Sequence, residues 1–207
     1  MILSARDAYR RWAPTYDESP NPIVSLIDRH MDPGRLRGKI AVDVACGTGR
    51  RAAKIGAIGV DLSFEMLSRS AGKKVQADAR HLPFSDSVAD LVLCALALGY
   101  IYPARDLMNE LRRIARPDGI VIAADLHPRA IAAGWKRSFR ADGANCEIES
   151  YPYSLDDLSV DGLTLEEARE LHFGEPEREI YHRAGKASLF DDARRVPAIW
   201  ILKWRRR

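Results

Sequence analysis

Between residues 39 and 127, short apolar runs alternate with helix-patterned segments, and no other feature limits the possible folds as tightly. Ile40 to Ala45 reads as a buried strand, Arg50 to Ile55 as a short helix and Ala57 to Leu62 as a second strand. Ser63 is placed to cap a helix running through Met66 to about Ser70. Lys73 to Ala77 forms a third strand, Ser85 to Val88 a short helix or turn, and Leu91 to Leu96 a fourth strand. That fourth run is apolar on both faces, as a central parallel strand must be. Pro103 opens a helix that aligns Leu107, Leu111 and Ile114; Arg116-Pro117-Asp118-Gly119 stops it, and Ile120 to Ala124 is a fifth strand. Strands and helices taking turns at this pace predict a doubly wound α/β fold, a parallel sheet with helices on both faces.

The flanks follow other patterns. A polar helical segment comes first. Asn21 then caps a second helix with Pro22 at its first position. Ile23, Ile27 and Met31 share one face of it, flanked by Val24 and Leu26, and Asp32-Pro33-Gly34 ends it. After residue 127, Trp135 to Arg140 and Cys146 to Tyr151 read as two short strands around the turn Asp142-Gly143-Ala144-Asn145. Ser154 to Val160 reads as a short helix. Leu163 to Phe173 is either a helix capped by Thr164 or an edge strand. Val196 to Trp204 is a final strand, with Pro197 tolerable near its start.

Composition narrows the function classes. The chain has 207 residues, 46% hydrophobic and 29% charged, which suits one globular domain. The longest apolar run, Leu91 to Leu98, is too short to span a bilayer, and the first residues lack a signal-peptide core, so a cytoplasmic location is expected. Cys46, Cys94 and Cys146 are scattered, and the five histidines show no ligand spacing, so no metal is expected. The net charge of +3 is dispersed and the basic tail from Lys203 reads as a solvated terminus, so no nucleic-acid partner is expected. No feature of the sequence specifies an oligomer.

In open α/β sheets, ligands sit beyond the carboxyl ends of the strands, where the strand order reverses. Those ends are Cys46-Gly47-Thr48-Gly49, Asp61, Asp78-Ala79, Cys94-Ala95-Leu96 and Asp125-Leu126-His127. Gly-x-Gly alone is a tight turn found in many sheets. Asp61 adds a carboxylate, acceptor-only, able to take both hydroxyls of an adenosine ribose, and it disfavours a 2′-phosphate. NAD and S-adenosylmethionine remain. A dinucleotide site wants Gly-x-Gly-x-x-Gly, and Ala52 is allowed at the third position. Twelve positions separate Gly49 from Asp61, against about 20 in dinucleotide folds. Asp43 lies inside the first strand, where a buried carboxylate is costly unless paired. It can fix the glycine loop and meet the ammonium of an amino-acid-bearing cofactor, directly or through water; a pyrophosphate would not tolerate it. Asp78 suits an adenine amino group, with the Ala79 N–H on a ring nitrogen.

Val42-Asp43-Val44-Ala45-Cys46-Gly47-Thr48-Gly49 resembles motif I of class I S-adenosylmethionine-dependent methyltransferases. Gly59 to Leu67 is similar to the motif that follows it, and Ala77 to Phe84, Ala89 to Val92 and Leu111 to Gly119 resemble the later ones in the right order. Tyr9 to Asp17, "YRRWAPTYD", resembles the start of the ubiquinone/menaquinone-type small-molecule methyltransferases. The resemblance implies a Rossmann-like methyltransferase fold: a mostly parallel seven-stranded sheet with N-terminal helices and a small hairpin cover. One domain, 1–207, would comprise a helical lid (1–38), a cofactor-binding core (39–127), a substrate-cover insertion (128–153) and the C-terminal part of the sheet (154–207). It implies S-adenosyl-L-methionine as cofactor. Gly47 and Gly49, with Ala45, would approach its methionine part, Asp61 its ribose, Leu62 and Met66 its adenine faces, and Asp78 and Ala79 the adenine edge. Ala95 would lie under the sulfonium and Tyr16 would close over the amino-acid end.

Methyl transfer from a sulfonium is an in-line displacement in which alignment supplies much of the acceleration. A base is needed only when the acceptor must lose a proton. Relatives often carry His after the fourth strand; here Leu98-Gly99-Tyr100 stands there. Tyr100 and His127 are the candidate catalytic or acceptor-binding groups, each with a structural role as the alternative. Tyr9 and Trp12 form either a lid or a packing face. Trp135, Phe139 and Tyr151 on the insertion either line an aromatic acceptor pocket or belong to an outer hairpin. The expected function is methyl transfer to a small organic acceptor through O, N or C. An RNA or protein methyltransferase would need a basic groove at the sheet edge, and a non-catalytic cofactor-binding module would account for the missing base.

Overall fold

The computed structural model describes residues 1–18, 20–31, 33, 38–141 and 143–207. In chain order its regular elements are β1 (Ile2–Leu3), α1 (Ala5–Trp12), α2 (Pro22–His30), β2 (Ala41–Val44), α3 (Arg50–Ile55), β3 (Ile58–Asp61), α4 (Phe64–Ser68), β4 (Lys74–Gln76) and β5 (Ala89–Ala95). They continue with α5 (Ala104–Ile114), β6 (Ala115–Leu126), α6 (Pro128–Ala132), β7 (Ser138–Ala141), β8 (Ala144–Ile148), β9 (Leu163–Leu171), α7 (Glu175–Arg183), α8 (Phe190–Ala193) and β10 (Ile199–Arg206). The main sheet has seven strands in the order β4-β3-β2-β5-β6-β10-β9. The first five run parallel, and β10 lies antiparallel between β6 and β9. Chain order runs outward in opposite directions from β2 and from β5, so the switch point lies between them.

The two faces of β2 separate the core. Val42 and Val44 pack with Val60, Val92 and the inner side of α5 (Leu107, Leu111, Ile114). Ala41 faces the other way, with Leu91, Leu93, Ala52 and Ile55, under Leu26 and Ile27 of α2. Local chemistry starts the helices where expected. The Asn21 side chain accepts from Ile23 N (2.9 Å) and Val24 N (3.3 Å), and Ser63 Oγ accepts from Met66 N (3.2 Å).

Several expectations are corrected. Residues 116–119 do not end α5 as a free turn; they form an irregular entry into β6, where the register against β5 shifts and Asp118 takes φ +60°. A Cβ at Gly119 would stand 2.7 Å from the Arg116 carbonyl oxygen, so the kink closes on itself. Of the two alternatives for Leu163 to Phe173, the edge strand is the one that forms, Leu163–Leu171, because β10 pairs with it along its length. Its charged Glu166, Glu167, Arg169 and Glu170 blunt the open edge. Between Ser154 and Val160 only one 3-10 turn forms, Asp156–Leu158. The hairpin is β7–β8, and β1 adds to it in parallel, Ile2 opposite Glu147, making a three-stranded sheet that the sequence did not suggest. Ala8 of α1 packs on it against Phe139, Cys146 and Ile148. Helix α7 was also unforeseen. It is tied to α2 by fully buried Glu177, which accepts from Ser25 Oγ (2.8 Å) and Arg29 Nη2 (2.6 Å). The turn residues Asp32, Gly34 and Asp142 lie outside the described residues. Among the described residues no helix is long and apolar enough to cross a membrane.

Candidate functional site

The strand ends around the switch point frame a cleft of about 390 Å³, a size suited to a small-molecule ligand. Its floor is the turn after β2. Ala45 (φ +55°), Gly47 (φ +59°) and Gly49 (φ +71°) all take left-handed backbone there. The two glycines serve different neighbours. A Cβ on Gly47 would lie 3.2 Å from Met66 Cε, and one on Gly49 would lie 2.9 Å from Ser70 Cβ, so Gly49 is fixed by the packing of α3 against the chain after α4. The Gly47 N–H donates to Asp61 Oδ2 (2.8 Å) and the Ser63 N–H to Asp61 Oδ1 (2.9 Å). Asp61 therefore locks the turn, and each oxygen keeps acceptor capacity toward the cleft. Burial pushes its pKa up, against the pull of the Ser63 and Gly47 N–H groups.

Asp43 sits beneath this turn, 1% exposed. Neither of its oxygens has a hydrogen-bond partner of good geometry. Burial pushes its pKa up to about 6; Arg51 opposes the rise, Asp61 and Asp28 reinforce it, and the Ala52 N–H pulls down only weakly. Those three charged neighbours all line the cleft. A buried carboxylate left unpaired is costly, and a cation arriving in the cleft would offset that cost.

Of the expected cofactor residues, Tyr16, Ala45, Gly47, Asp61, Leu62, Asp78, Ala79 and Ala95 line the cleft. Met66 lies buried under Gly47, and Gly49 and Asp43 lie in the layer beneath. The Asp78 carboxylate is clamped by Arg80 through Nη2 (2.7 Å) and Nε (3.1 Å), and this contact holds its pKa below the usual range. An adenine edge there would share Asp78 with Arg80.

The acceptor side differs more. Tyr9, Tyr100 and Tyr151 line the cleft, joined by Ile101 and Tyr102, which sequence reasoning passed over. Trp12, Trp135, Phe139 and His127 are not among the lining residues. Phe139 stacks on Trp12 (centroids 4.9 Å apart, planes 12°) as packing of the cover, and Tyr9 and Tyr16 also pack on Trp12 at 6.0 and 4.8 Å. Trp135 stacks on Phe173 (5.5 Å, 18°), on the α2 side of the sheet. His127 caps α6: its Nδ1 accepts from Arg129 N (3.0 Å), while Nε2 faces Glu170 Oε1 (3.1 Å). Burial lowers the His127 pKa against the upward pull of Glu170. Its ring is used up in structure.

Tyr100, half-buried, is the centre of a network that runs from the cleft to the buried Arg137 and Asp125. The Tyr9 hydroxyl donates to the Tyr100 hydroxyl (3.1 Å). The Arg137 guanidinium lies 4.7 Å from the Tyr100 ring centroid and pairs with Asp125 at 2.5 Å; Asp125 also accepts from Gly99 N (2.9 Å). Gly99 is needed here, since a Cβ would come within 2.5 Å of Arg137 Nη2. The end of β6, the root of the hairpin and the lid helix are thereby joined. Burial raises the pKa of Tyr9 and Tyr100 and pushes Tyr16 to about 12. Asp17 is a second unforeseen residue. It accepts from Thr48 Oγ1 (3.1 Å) and pairs with Arg50 (3.2 Å), pinning the end of the N-terminal segment onto the glycine turn. Among the described residues no group of three His, Cys, Asp or Glu side chains is placed to hold a metal ion.

Comparison with known proteins adds a family. Residues 42–123 match the methyltransferase domain model. The chain is 30% identical to the demethylmenaquinone methyltransferase of Lactobacillus johnsonii over 182 residues, covering 71% of this chain and 74% of that protein. It is 25% identical over 207 residues to the malonyl-[acyl-carrier protein] O-methyltransferase of Pectobacterium atrosepticum, covering 95% of this chain and 77% of the relative. A solved S-adenosylmethionine-dependent methyltransferase from Mesorhizobium loti shares the fold with a TM-score of 0.63 at 19% identity, over 98% of this chain and all of the other.

Proposed function

The chain belongs to the S-adenosylmethionine-dependent methyltransferases, and we propose that it methylates a small organic acceptor held between the N-terminal helix and the strand ends. The relatives are named for demethylmenaquinone and for malonyl-[acyl-carrier protein]. In this chain the arginines near the glycine turn are spent on internal carboxylates, Arg50 on Asp17 and Arg51 on Asp28, which does not favour a polyanion groove.

The observation that carries the reading is the unpartnered Asp43 carboxylate under a turn whose Gly47 N–H is locked by Asp61. This donor set suits a zwitterionic amino-acid tail joined to a ribose. Gly47 and Thr48 would hold the tail, Asp43 its ammonium, Asp61 the ribose hydroxyls, and Leu62 with Ala79 the adenine. When bound, S-adenosylmethionine supplies an electrophilic methyl on a sulfonium. The chain's own groups orient the partners: Ala95 leaves room beside the β5 end, Tyr16 and Tyr9 cover the cleft, and α1 with the β1-β7-β8 sheet excludes water. Residues 1–38 and 128–153 together would form the cover over the 39–127 core, with 154–207 completing the sheet. Alignment supplies the acceleration.

Calorimetry with S-adenosylmethionine tests this. Binding is expected at one site, weakened at least about tenfold by Asp61→Ala, since hydrogen bonds to an ionised partner carry more than one factor of ten. Unchanged affinity would remove the site assignment.

A further inference from the structure

Resting on that reading of the cleft, the geometry points to the accepting group: a carboxylate on a flat, largely apolar molecule, methylated on its oxygen to give a methyl ester.

With Asp43 given to the cofactor's ammonium and the open side of Asp61 to its ribose, no unengaged base is left among the described lining residues. Asp61 is held by the Gly47 and Ser63 N–H groups, Asp78 by Arg80, and Asp28 by Arg51 at 3.0 Å. The described lining includes no histidine, lysine or glutamate. The Tyr9 hydroxyl is spent on Tyr100, and the Tyr151 hydroxyl points to Glu149 at the rim (3.4 Å). Burial keeps the inner phenols protonated. Once the cofactor occupies Asp43 and Asp61, an acceptor that must shed a proton, such as a phenol, a carbon acid or an ammonium, meets donors and no free carboxylate or imidazole among the described lining residues. A carboxylate arrives already ionised.

Two features then favour an anion. Because Tyr9 donates to Tyr100, the Tyr100 proton remains available to another acceptor. Arg6 lies three residues before Tyr9, on the same side of α1, and lines the cleft. Arg50, Arg51 and Arg80 of the lining are each paired, whereas Arg6 has no ion pair or hydrogen bond among the described residues. An unspent arginine among the described lining residues, beside a phenolic donor, suits a carboxylate and disfavours an ammonium. Beside them the Tyr102 and Tyr151 rings stand 5.1 Å apart at the rim, apolar surfaces for a flat body.

The step balances without a further reactant. A carboxylate oxygen lone pair forms the bond to the methyl carbon, the carbon–sulfur bond breaks, and its electron pair stays on sulfur. An anion and a sulfonium become a neutral ester and a neutral thioether, and no proton moves.

The test uses the full chain loaded with S-adenosylhomocysteine and four probes of one shape: trans-cinnamate, cinnamamide, cinnamyl alcohol and cinnamylamine. By calorimetry cinnamate should bind at least about tenfold more tightly than the other three, the difference one charge-assisted hydrogen bond makes. Arg6→Gln, at an exposed side chain with no ion pair or hydrogen bond among the described residues, should weaken cinnamate about tenfold and leave cinnamamide and S-adenosylhomocysteine unchanged. Tyr100→Phe should also weaken cinnamate selectively. With labelled cofactor, mass spectrometry should find methyl cinnamate and no N- or O-methylated amine or alcohol. Absent cinnamate binding, equal or tighter binding of the amine or alcohol, or an Arg6→Gln protein that binds cinnamate normally would overturn the assignment. Failure of the wild type to bind S-adenosylhomocysteine would overturn the cofactor site itself, and the acceptor with it.

Discussion

Asp43→Asn separates what the buried carboxylate does to the free protein from what it does for the ligand. The Asp43 pKa stands at about 6 in the fold, against 3.8 ordinarily, and burial is the main cause. Each unit corresponds to about 1.4 kcal/mol. The folded form thus holds the proton more tightly than the unfolded chain. The stability tied to this group is full below about pH 4 and is lost as pH rises through about 6. The ionised side chain costs about 1 kcal/mol at pH 4.5 and about 3 kcal/mol at pH 8, the sum of the two protonation equilibria. Asparagine has the same shape and no charge. Its own unsatisfied amide adds a penalty that does not vary with pH, so the pH dependence isolates the carboxylate. Urea denaturation of the free proteins at both pH values should shift the stability difference by about 2 kcal/mol in favour of Asp43→Asn at the higher pH. Ligand binding should move the opposite way. An ammonium above Asp43 favours its ionised form, so wild-type affinity for S-adenosylmethionine should rise about tenfold from pH 5 to 7. The variant should bind weakly and without that slope. A stability difference independent of pH, with equal binding by both proteins, would refute the reasoning.

Arg137→Met leaves Asp125 buried without its partner and frees Tyr100. Breaking such a pair costs about 3–5 kcal/mol, which thermal melts should report, together with faster proteolysis between residues 1 and 18. An unchanged melting temperature would contradict the described network. His127→Ala removes a helix cap worth about 1 kcal/mol, and turnover should stay within about twofold of wild type; a loss of 100-fold would return His127 to catalysis. Gly49→Ala combines a left-handed backbone with a collision at Ser70. It should destabilise by about 2 kcal/mol or more in chemical denaturation, and the double variant with Ser70→Gly should recover part of it.

Much of the core was legible because local and global preferences agree there. Asn21 and Ser63 cap the helices they were expected to cap, and Arg50–Ile55 is the helix its pattern describes. Asp43 and Asp61 stand out because a carboxylate inside a strand, or closing one, contradicts its apolar setting. What was missed depends on tertiary context. Arg116 to Gly119 has turn chemistry, but the continuing ladder to β5 draws it into a strand with a kink. Glu175 to Arg183 is so polar that no apolar stripe marks a helix, and its buried residue is Glu177, paid for by Arg29 and Ser25. Trp135 and Phe139 lie close in sequence, yet one faces the sheet and the other the lid. Arg137 offered no signal, because an arginine before a hairpin reads as solvated until Gly99 and Asp125 are brought against it.

In the proposed reading the cleft over the glycine turn holds an adenosyl amino acid. A crystal structure of the chain with S-adenosylhomocysteine tests it most directly. The amino-acid tail is expected over Gly47 with its ammonium toward Asp43, the ribose hydroxyls on Asp61, the adenine between Leu62 and Ala79, and the sulfur facing Tyr100. Ligand density elsewhere, or a tail whose ammonium points away from Asp43, would contradict it.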